Sequence, residues 1–409
     1  MSNVKAERIW SRLMSLAEIG ATSDGGVTRY SYTELEAKAN ERVRSFMKEA
    51  GLETGYDAVG NLFGVKKGKT DETILVGSHV DSVPNGGNFD GPLGVLAGIE
   101  VLESLNEQGI ELSHTVKVMA FKDEEGSRFG LGMIGSRAVA GILTLDELEM
   151  NDADGVSIKE AMEQQGYHPD SIAEAALNNV RAYIELHIEQ GKILEQAGVA
   201  AGVVSGIAGP CWLRLKCTGE AGHAGSTPMK QRRDALVGAS LIIAEIERIA
   251  RSTPDLVATV GQIQVKPGGT NVIPGYSEWT LDLRHVHEDI RNQAEAKIRE
   301  AAETIAKERQ LTLEIEELQR ISPAPCAEAI QETIKGSLIE EGIDPVTLPS
   351  GAGHDGMQFT GKWPMGMIFA RSKDGISHNP KEWTSKEDVQ TATSVLYRTL
   401  LTLDKKEQL

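Results

Sequence analysis

Cysteine is scarce in this chain. The three cysteines among 409 residues, Cys211, Cys217 and Cys326, show no CxxC spacing, and an odd count forms no closed disulfide framework. They are expected reduced, within cores or strands. Aromatic residues are only 5% of the chain beside 40% hydrophobic residues, the texture of an ordinary soluble α/β protein. No run approaches the ~20 apolar residues that cross a bilayer. The opening "MSNVKAERIWSRLMSLAEIG" is charged throughout and reads as an amphipathic helix, without the apolar segment of a secretory signal. The expected location is the cytoplasm. Basic residues are also few, 42 against 60 acidic ones, for a net charge of −18. That balance argues against nucleic acid as a partner. It is compatible with carboxylates recruited to hold divalent cations.

What is present divides into two textures, and at this length two or three domains with sizeable cores are expected. Helical spacing runs over 4–51, with Gly51 as the stop. Strands follow in "DAVGNLFGVKKG" and "ETILVGSHVDSV", then a helix in "GPLGVLAGIEVLESLNEQG", and strands in "HTVKVMAFKDEEG" and "RAYIELHIEQG". This alternation predicts an α/β fold, a mainly parallel sheet covered by helices on both faces. From about 209 the order becomes strand, helix over 234–251, two strands, helix over 289–307, strand. That β-α-β-β-α-β order is the ferredoxin-like split unit. The expected organisation is a catalytic domain of 1–208 plus 327–409, interrupted by an inserted domain of 209–326. Hinge motion near 206–210 and 323–326 would let the insert close as a lid.

Ligands of open α/β sheets bind beyond the carboxyl ends of the strands, and there the unusual polar residues gather. His79 and Asp81 follow "TILVGS", and Asp90 lies across a glycine loop. Glu124 and Glu125 follow "VKVMAF". His187 sits in "YIELHIEQG", and His378 in "GISHNPKEW". A lone histidine at a strand end is usually a surface or core residue, the reading given to His114, His168, His285 and His287. "DEE" alone is usually a solvated turn. Four strand ends that each offer a metal-capable residue beside glycines point instead to two divalent ions. His nitrogen and carboxylate oxygen suit zinc, and ions about 3.5–4 Å apart can share a carboxylate. Asp81 is placed to orient the His79 imidazole.

In order along the chain, "GSHVDSVPNGGNFDGPLG", "KDEEGSRFG", "ELHIEQG", "GHAGSTPM", "GGTNVIPG", "DLRH", "SGAGHDG" and "GISHNPKEW" resemble the M20-type metallopeptidase superfamily. Within it they look like the amidase branch of N-carbamoyl-L-amino acid hydrolases, allantoate amidohydrolases and β-ureidopropionases. The resemblance implies an aminopeptidase-like catalytic domain and two divalent ions per subunit (Zn, Mn, Co or Ni) held by His79, Asp90, Glu125, His187 and His378, with Asp90 bridging. Glu124 would be the general base. Gly126 would supply the kink that brings two adjacent glutamates to one site. A non-proline cis peptide is implied after Asp90. His223 would stabilise the oxyanion in the partner subunit of a homodimer. Asn271 and Arg284 would hold a substrate carboxylate, and Gln190, Gly353 and His354 would line a ureido pocket. A hydrogen-bonded turn is the alternative for His354 and Asp355.

The implied activity is hydrolysis of the ureido C–N bond of N-carbamoyl-L-amino acids, small-molecule substrates, to L-amino acid, carbon dioxide and ammonia. Allantoate is the alternative substrate, because both molecules join a ureido group to a carboxylate. An exopeptidase fits the "GHAGSTP" and "GAGHDG" context less well. A non-catalytic scaffold is disfavoured by the joint presence of a base and five ligand candidates.

Overall fold

The computed structural model of the chain describes residues 4–407. It divides into two compact units, Met1–Gly206 with Cys326–Leu409, and Ile207–Pro325.

The expected helical stretch 4–51 is two helices, α1 (Ala6–Ala17) and α2 (Glu34–Glu49). The glycine-containing segment between them turns back, and Thr33 caps α2 by accepting the Glu36 amide. Strands β1 (Glu53–Tyr56), β2 (Leu62–Lys66), β3 (Thr70–His79), β4 (His114–Phe121), β5 (Val180–Ile188) and β6 (Ala201–Ile207) follow. Helix α3 (Pro92–Glu107) lies between β3 and β4 in the chain.

The inserted unit carries β7 (Gly209–Thr218), β8 (Gly222–His223), β9 (Val257–Thr259), β10 (Ile263–Lys266), β11 (Val272–Ile273), β12 (Tyr276–His285) and β13 (Thr312–Arg320). Its helices are α4 (Ala235–Arg251) and α5 (Glu288–Glu308). The first unit resumes with α6 (Glu328–Glu340), β14 (Thr347–Ser350), β15 (Met365–Ala370) and α7 (Lys386–Lys405).

In the first unit the strands lie in the order β1-β2-β4-β3-β5-β15-β6, with β14 beside β6. The centre is parallel: β3 pairs in parallel with β4 and β5, and β15 with β5. Toward the edges, β1–β2, β2–β4 and β15–β6 are antiparallel. One large core joins alternate strand residues (Ile74, Val76, Val116, Val118, Ile184, Leu186) to α1, α2, α3, α6 and α7. Strand side chains alternate faces, so His79 and His187 leave the sheet on the side opposite that core, at the carboxyl ends of β3 and β5.

In the inserted unit, β10-β12-β7-β13 form an antiparallel sheet. The single strand expected over "LVATVGQIQVKPG" is two short ones, β9 and β10, both paired with β12. A separate core of Leu213, Leu215, Trp279, Leu281, Ile242 and Ile298 packs α4 and α5 on this sheet. No helix among the described residues is long and apolar enough to cross a membrane.

Candidate metal centre and active site

Three turns bring the polar residues together. After β4, Asp123 adopts φ 51° and Gly126 φ 61°, so the kink expected at Gly126 already begins at Asp123. A Cβ on Gly126 would lie 2.7 Å from the Gly132 amide nitrogen, which leaves glycine as the fitting residue. After β3, Gly91 adopts φ 83°, and a Cβ there would lie 2.5 Å from the His79 ring. After β15, His378 itself adopts φ 53°. The Asp90–Gly91 peptide, implied to be cis, is trans: the cis bond among the described residues is Lys266–Pro267.

Asp90 lies at the centre. Its Oδ1 is 3.1 Å from His187 Nε2 and 3.5 Å from His79 Nε2, whereas its Oδ2 is 3.4 Å from His378 Nε2. Glu125 Oε1 lies 3.6 Å from His378 Nε2, and Glu124 Oε2 lies 3.7 Å from His79 Nε2. Two candidate cation clusters therefore share one carboxylate, His79–Asp90–His187 and Asp90–Glu125–His378. Apart from His378, which is half exposed, the site is buried or nearly so.

The imidazoles are oriented for this arrangement. Nδ1 of His79 is 3.1 Å from the Asp81 carbonyl oxygen, and Nδ1 of His187 is 2.9 Å from the Ile188 carbonyl oxygen. A carbonyl only accepts, so Nδ1 carries the proton in each neutral ring and Nε2 presents its lone pair. His187 Nε2 is buried and finds no hydrogen-bond partner among the described residues. A buried, unpaired lone pair facing a shared carboxylate fits a divalent ion.

The expected role of Asp81 changes here. Its backbone carbonyl, not its carboxylate, orients His79; the nearer carboxylate oxygen is 3.7 Å from the ring. The carboxylate instead accepts the Glu124 and Glu125 amides at 3.3 and 3.2 Å. Asp81 thus anchors the turn carrying both glutamates. Asp123 is no solvated turn either: it is 1% exposed.

Electrostatics follow from crowding several acids in one buried place. Burial pushes the Glu124 carboxyl well above its ordinary value, offset by His79 and reinforced by Glu125 and Asp355. Burial, with Asp90 beside it, lifts Glu125 to about 7. For Asp90, burial acts upward, but without an ion the His187, His378 and His79 imidazoles, when protonated, outweigh it and bring the carboxyl well below its ordinary value. His378 rises to about 9, chiefly through Asp90. Protons and a cation compete for such a cluster, and binding a cation would release protons.

A cavity of about 190 Å³ opens onto these groups. Gln190, Met133, Ala352, Gly353 and His354 complete its lining beside the ligand candidates. Gln190 Nε2 donates to Asp90 Oδ2 at 2.7 Å. Ser350 Oγ donates to the Ala352 carbonyl at 2.9 Å, so it accepts from His354 Nε2 at 2.9 Å. Burial, with His187 beside it, holds His354 neutral. A cleft of about 400 Å³ elsewhere, lined by residues including Tyr56, Lys117 and His168, brings no such donor cluster to its wall. Chemistry rather than volume marks the site.

His223, Asn271 and Arg284 belong to the inserted unit. His223 on β8 pairs with Val272, and the Ala224 amide donates to the Asn271 carbonyl at 2.9 Å. The Gly225 amide donates to His223 Nδ1 at 3.0 Å, which leaves an N–H at Nε2 of the neutral ring, a donor suited to an anionic oxygen. Arg284 is engaged by Asp282, with Nη2 2.8 Å from Oδ2.

Sequence reasoning passed over Ser377 and Glu382. Ser377 Oγ lies 2.7 Å from Asp90 Oδ2, and Glu382 accepts the Asp90 amide at 3.1 Å. Their signal was proximity to His378 in "GISHNPKEW".

The profile of peptidase family M20/M25/M40 matches residues 75–402. The N-carbamoyl-L-amino acid amidohydrolase of Geobacillus stearothermophilus is 50% identical over 99% of this chain and 100% of its own. The allantoate amidohydrolase of Bacillus subtilis (strain 168) is 38% identical over 94% and 95%. Among solved structures, an amidase of the hydantoinase/carbamoylase family from Burkholderia multivorans superposes with a TM-score of 0.92. It is 37% identical and covers 99% of each chain.

Proposed function

The chain belongs to the peptidase family M20/M25/M40, and from that premise we propose that it is a metal-dependent amidohydrolase that converts N-carbamoyl-L-amino acids to L-amino acid, carbon dioxide and ammonia. One observation carries the chemistry: the two oxygens of Asp90 face two different donor groups, with Glu124 beside one of them. The substrate class rests on the full-length likeness to the Geobacillus enzyme.

In this reading His79, Asp90 and His187 would hold one divalent ion, and Asp90, Glu125 and His378 the other. When bound, such ions supply Lewis acidity, polarising a carbonyl and making water more acidic. Glu124 takes the proton of the attacking water and delivers it to the leaving nitrogen. Water oxygen adds to the ureido carbon, the bond to the amino-acid nitrogen breaks, and the carbamic acid released gives carbon dioxide and ammonia. Gln190, Gly353 and His354 surround the ureido group. Asp81 keeps the glutamate turn in register through its two accepted amides.

We assign the inserted unit the parts of lid and dimerisation element. Asn271 and Arg284 hold the substrate carboxylate, Arg284 exchanging Asp282 for it. His223 donates from Nε2 to the developing oxyanion in the active site of a second subunit.

The test is ammonia release from N-carbamoyl-L-methionine and from allantoate, measured side by side on protein reconstituted with Mn²⁺, Co²⁺, Ni²⁺ or Zn²⁺. Faster turnover of the carbamoyl amino acid is expected; preference for allantoate overturns the substrate assignment. Activity with no added ion after exhaustive chelation overturns the mechanism.

A further inference from the structure

Glu382 is 3% exposed, and its carboxylate is divided between the Asp90 segment and Ser377. Oε1 accepts the Phe89 amide at 2.8 Å and the Asp90 amide at 3.1 Å. Oε2 is 2.9 Å from Ser377 Oγ, which is also 2.7 Å from Asp90 Oδ2. A Cβ on Gly87 would lie 2.0 Å from this carboxylate, so the glycine loop lies directly against it. The Glu382 amide donates to the Asn379 carbonyl at 3.0 Å, closing the turn that directly follows His378. One buried carboxylate therefore joins two loops far apart in the chain, and each loop carries a proposed ligand of the second cluster.

We propose that Glu382 is a positioning residue for the Asp90–Glu125–His378 cluster: with Ser377 as its relay, it sets which oxygen of Asp90 faces His378. This role rests on the reading of the cluster as a cation site, and it is selective for one of the two clusters. Asp90 Oδ1 meets His79 and His187, which are oriented by the carbonyls of Asp81 and Ile188, whereas Oδ2, also held by Gln190, and His378 adjoin the Ser377–Glu382 turn. Loss of Glu382 leaves the Phe89 and Asp90 amides without their acceptor and loosens the second cluster more than the first. A glutamine at this position keeps an amide oxygen for both backbone N–H groups, and its NH₂ can donate to Ser377 Oγ while that hydroxyl donates to Asp90.

The experiment is calorimetric titration of the metal-stripped full-length chain with Mn²⁺, with bound metal counted by atomic emission, for wild type, Glu382→Ala, Glu382→Gln and Ser377→Ala. The wild type is expected to take two ions. Glu382→Ala should hold one near wild-type affinity and bind the other about 10–100-fold more weakly, the usual cost of losing a partner behind a ligand. Glu382→Gln should recover most of that loss, and Ser377→Ala should weaken the same ion. If Glu382→Ala proves unfolded by near-ultraviolet circular dichroism, the other two variants decide. Unchanged affinities, equal weakening of both ions, or a glutamine variant as impaired as the alanine one overturns the proposal. A wild-type chain that takes fewer than two ions overturns the cation-site reading, a result distinct from two ions bound with no selective effect.

Discussion

Glu124 and Glu125 are adjacent in the chain and separate in duty: one faces His79 and the other His378. Neighbouring side chains on an extended strand point apart, but the left-handed backbone at Asp123 turns both into one cavity. Replacing Glu124 by Gln removes the proton acceptor and keeps the shape. Expected is a kcat lower by about 10²–10⁴ with two ions still bound, read from steady-state kinetics and metal content. Full activity in that variant removes Glu124 from the proton path. The three cysteines are buried, and burial pushes Cys326 up to about 12 and Cys211 and Cys217 to about 11. Thiol reagents are therefore expected to label none of them in the folded chain, counted by intact mass before and after unfolding.

At the scale of elements, the site depends on how strands end. β3 stops at His79, and the chain returns to begin α3 through Gly91, whose φ of 83° and close approach to the His79 ring leave no room for a side chain. Gly91→Ala is expected to cost about 1–3 kcal/mol and to displace the imidazole. Urea unfolding of the metal-free chain checks the stability, and Mn²⁺ titration checks the ligand. β4 ends differently, at Phe121, and is followed by Lys122, whose ammonium is buried against the Glu36 carboxylate of α2, with the Tyr32 and Tyr167 rings beside it. Lys122→Met leaves Glu36 buried without its counter-charge, an expected loss of about 3–5 kcal/mol. Denaturant unfolding measures it, and a loss below about 1 kcal/mol would show that the pair adds little to the stability of the fold.

For the molecule as a whole, the cluster of buried acids ties stability to the ion. A ligand that binds only the folded state stabilises by about 2.7 kcal/mol at a hundred times its Kd. Chelation is therefore expected to lower the melting temperature and abolish turnover, and added Mn²⁺ or Zn²⁺ to restore both. The reading that His223 serves a second subunit has its own test. Mixed dimers of Glu124→Gln and His223→Ala chains should regain activity, because one of their two sites would hold both intact residues. Mixed samples no more active than either variant alone would place His223 in its own subunit's chemistry or outside catalysis.

Much of this was determined by the sequence alone. Apolar runs ending in glycines marked β3, β4 and β5, the order of strand and helix patterns marked the βαββαβ insert, and the polar residues at strand ends marked the groups that converge. Those signals are local, set by side-chain periodicity and by the few residues that tolerate tight turns. The tertiary structure decided where the hydrogen bonds go. That the Asp81 carboxylate takes the Glu124 and Glu125 amides depends on β3 lying beside β4. The Asp90 amide reaches Glu382 only because β15 sits beyond β5 in the same sheet, bringing together segments separated by 292 positions. Periodicity cannot carry such information, because a hydrogen bond is fixed by which distant backbone arrives within 3 Å of a given oxygen, about the length of the bond itself, and that is settled by strand order and packing.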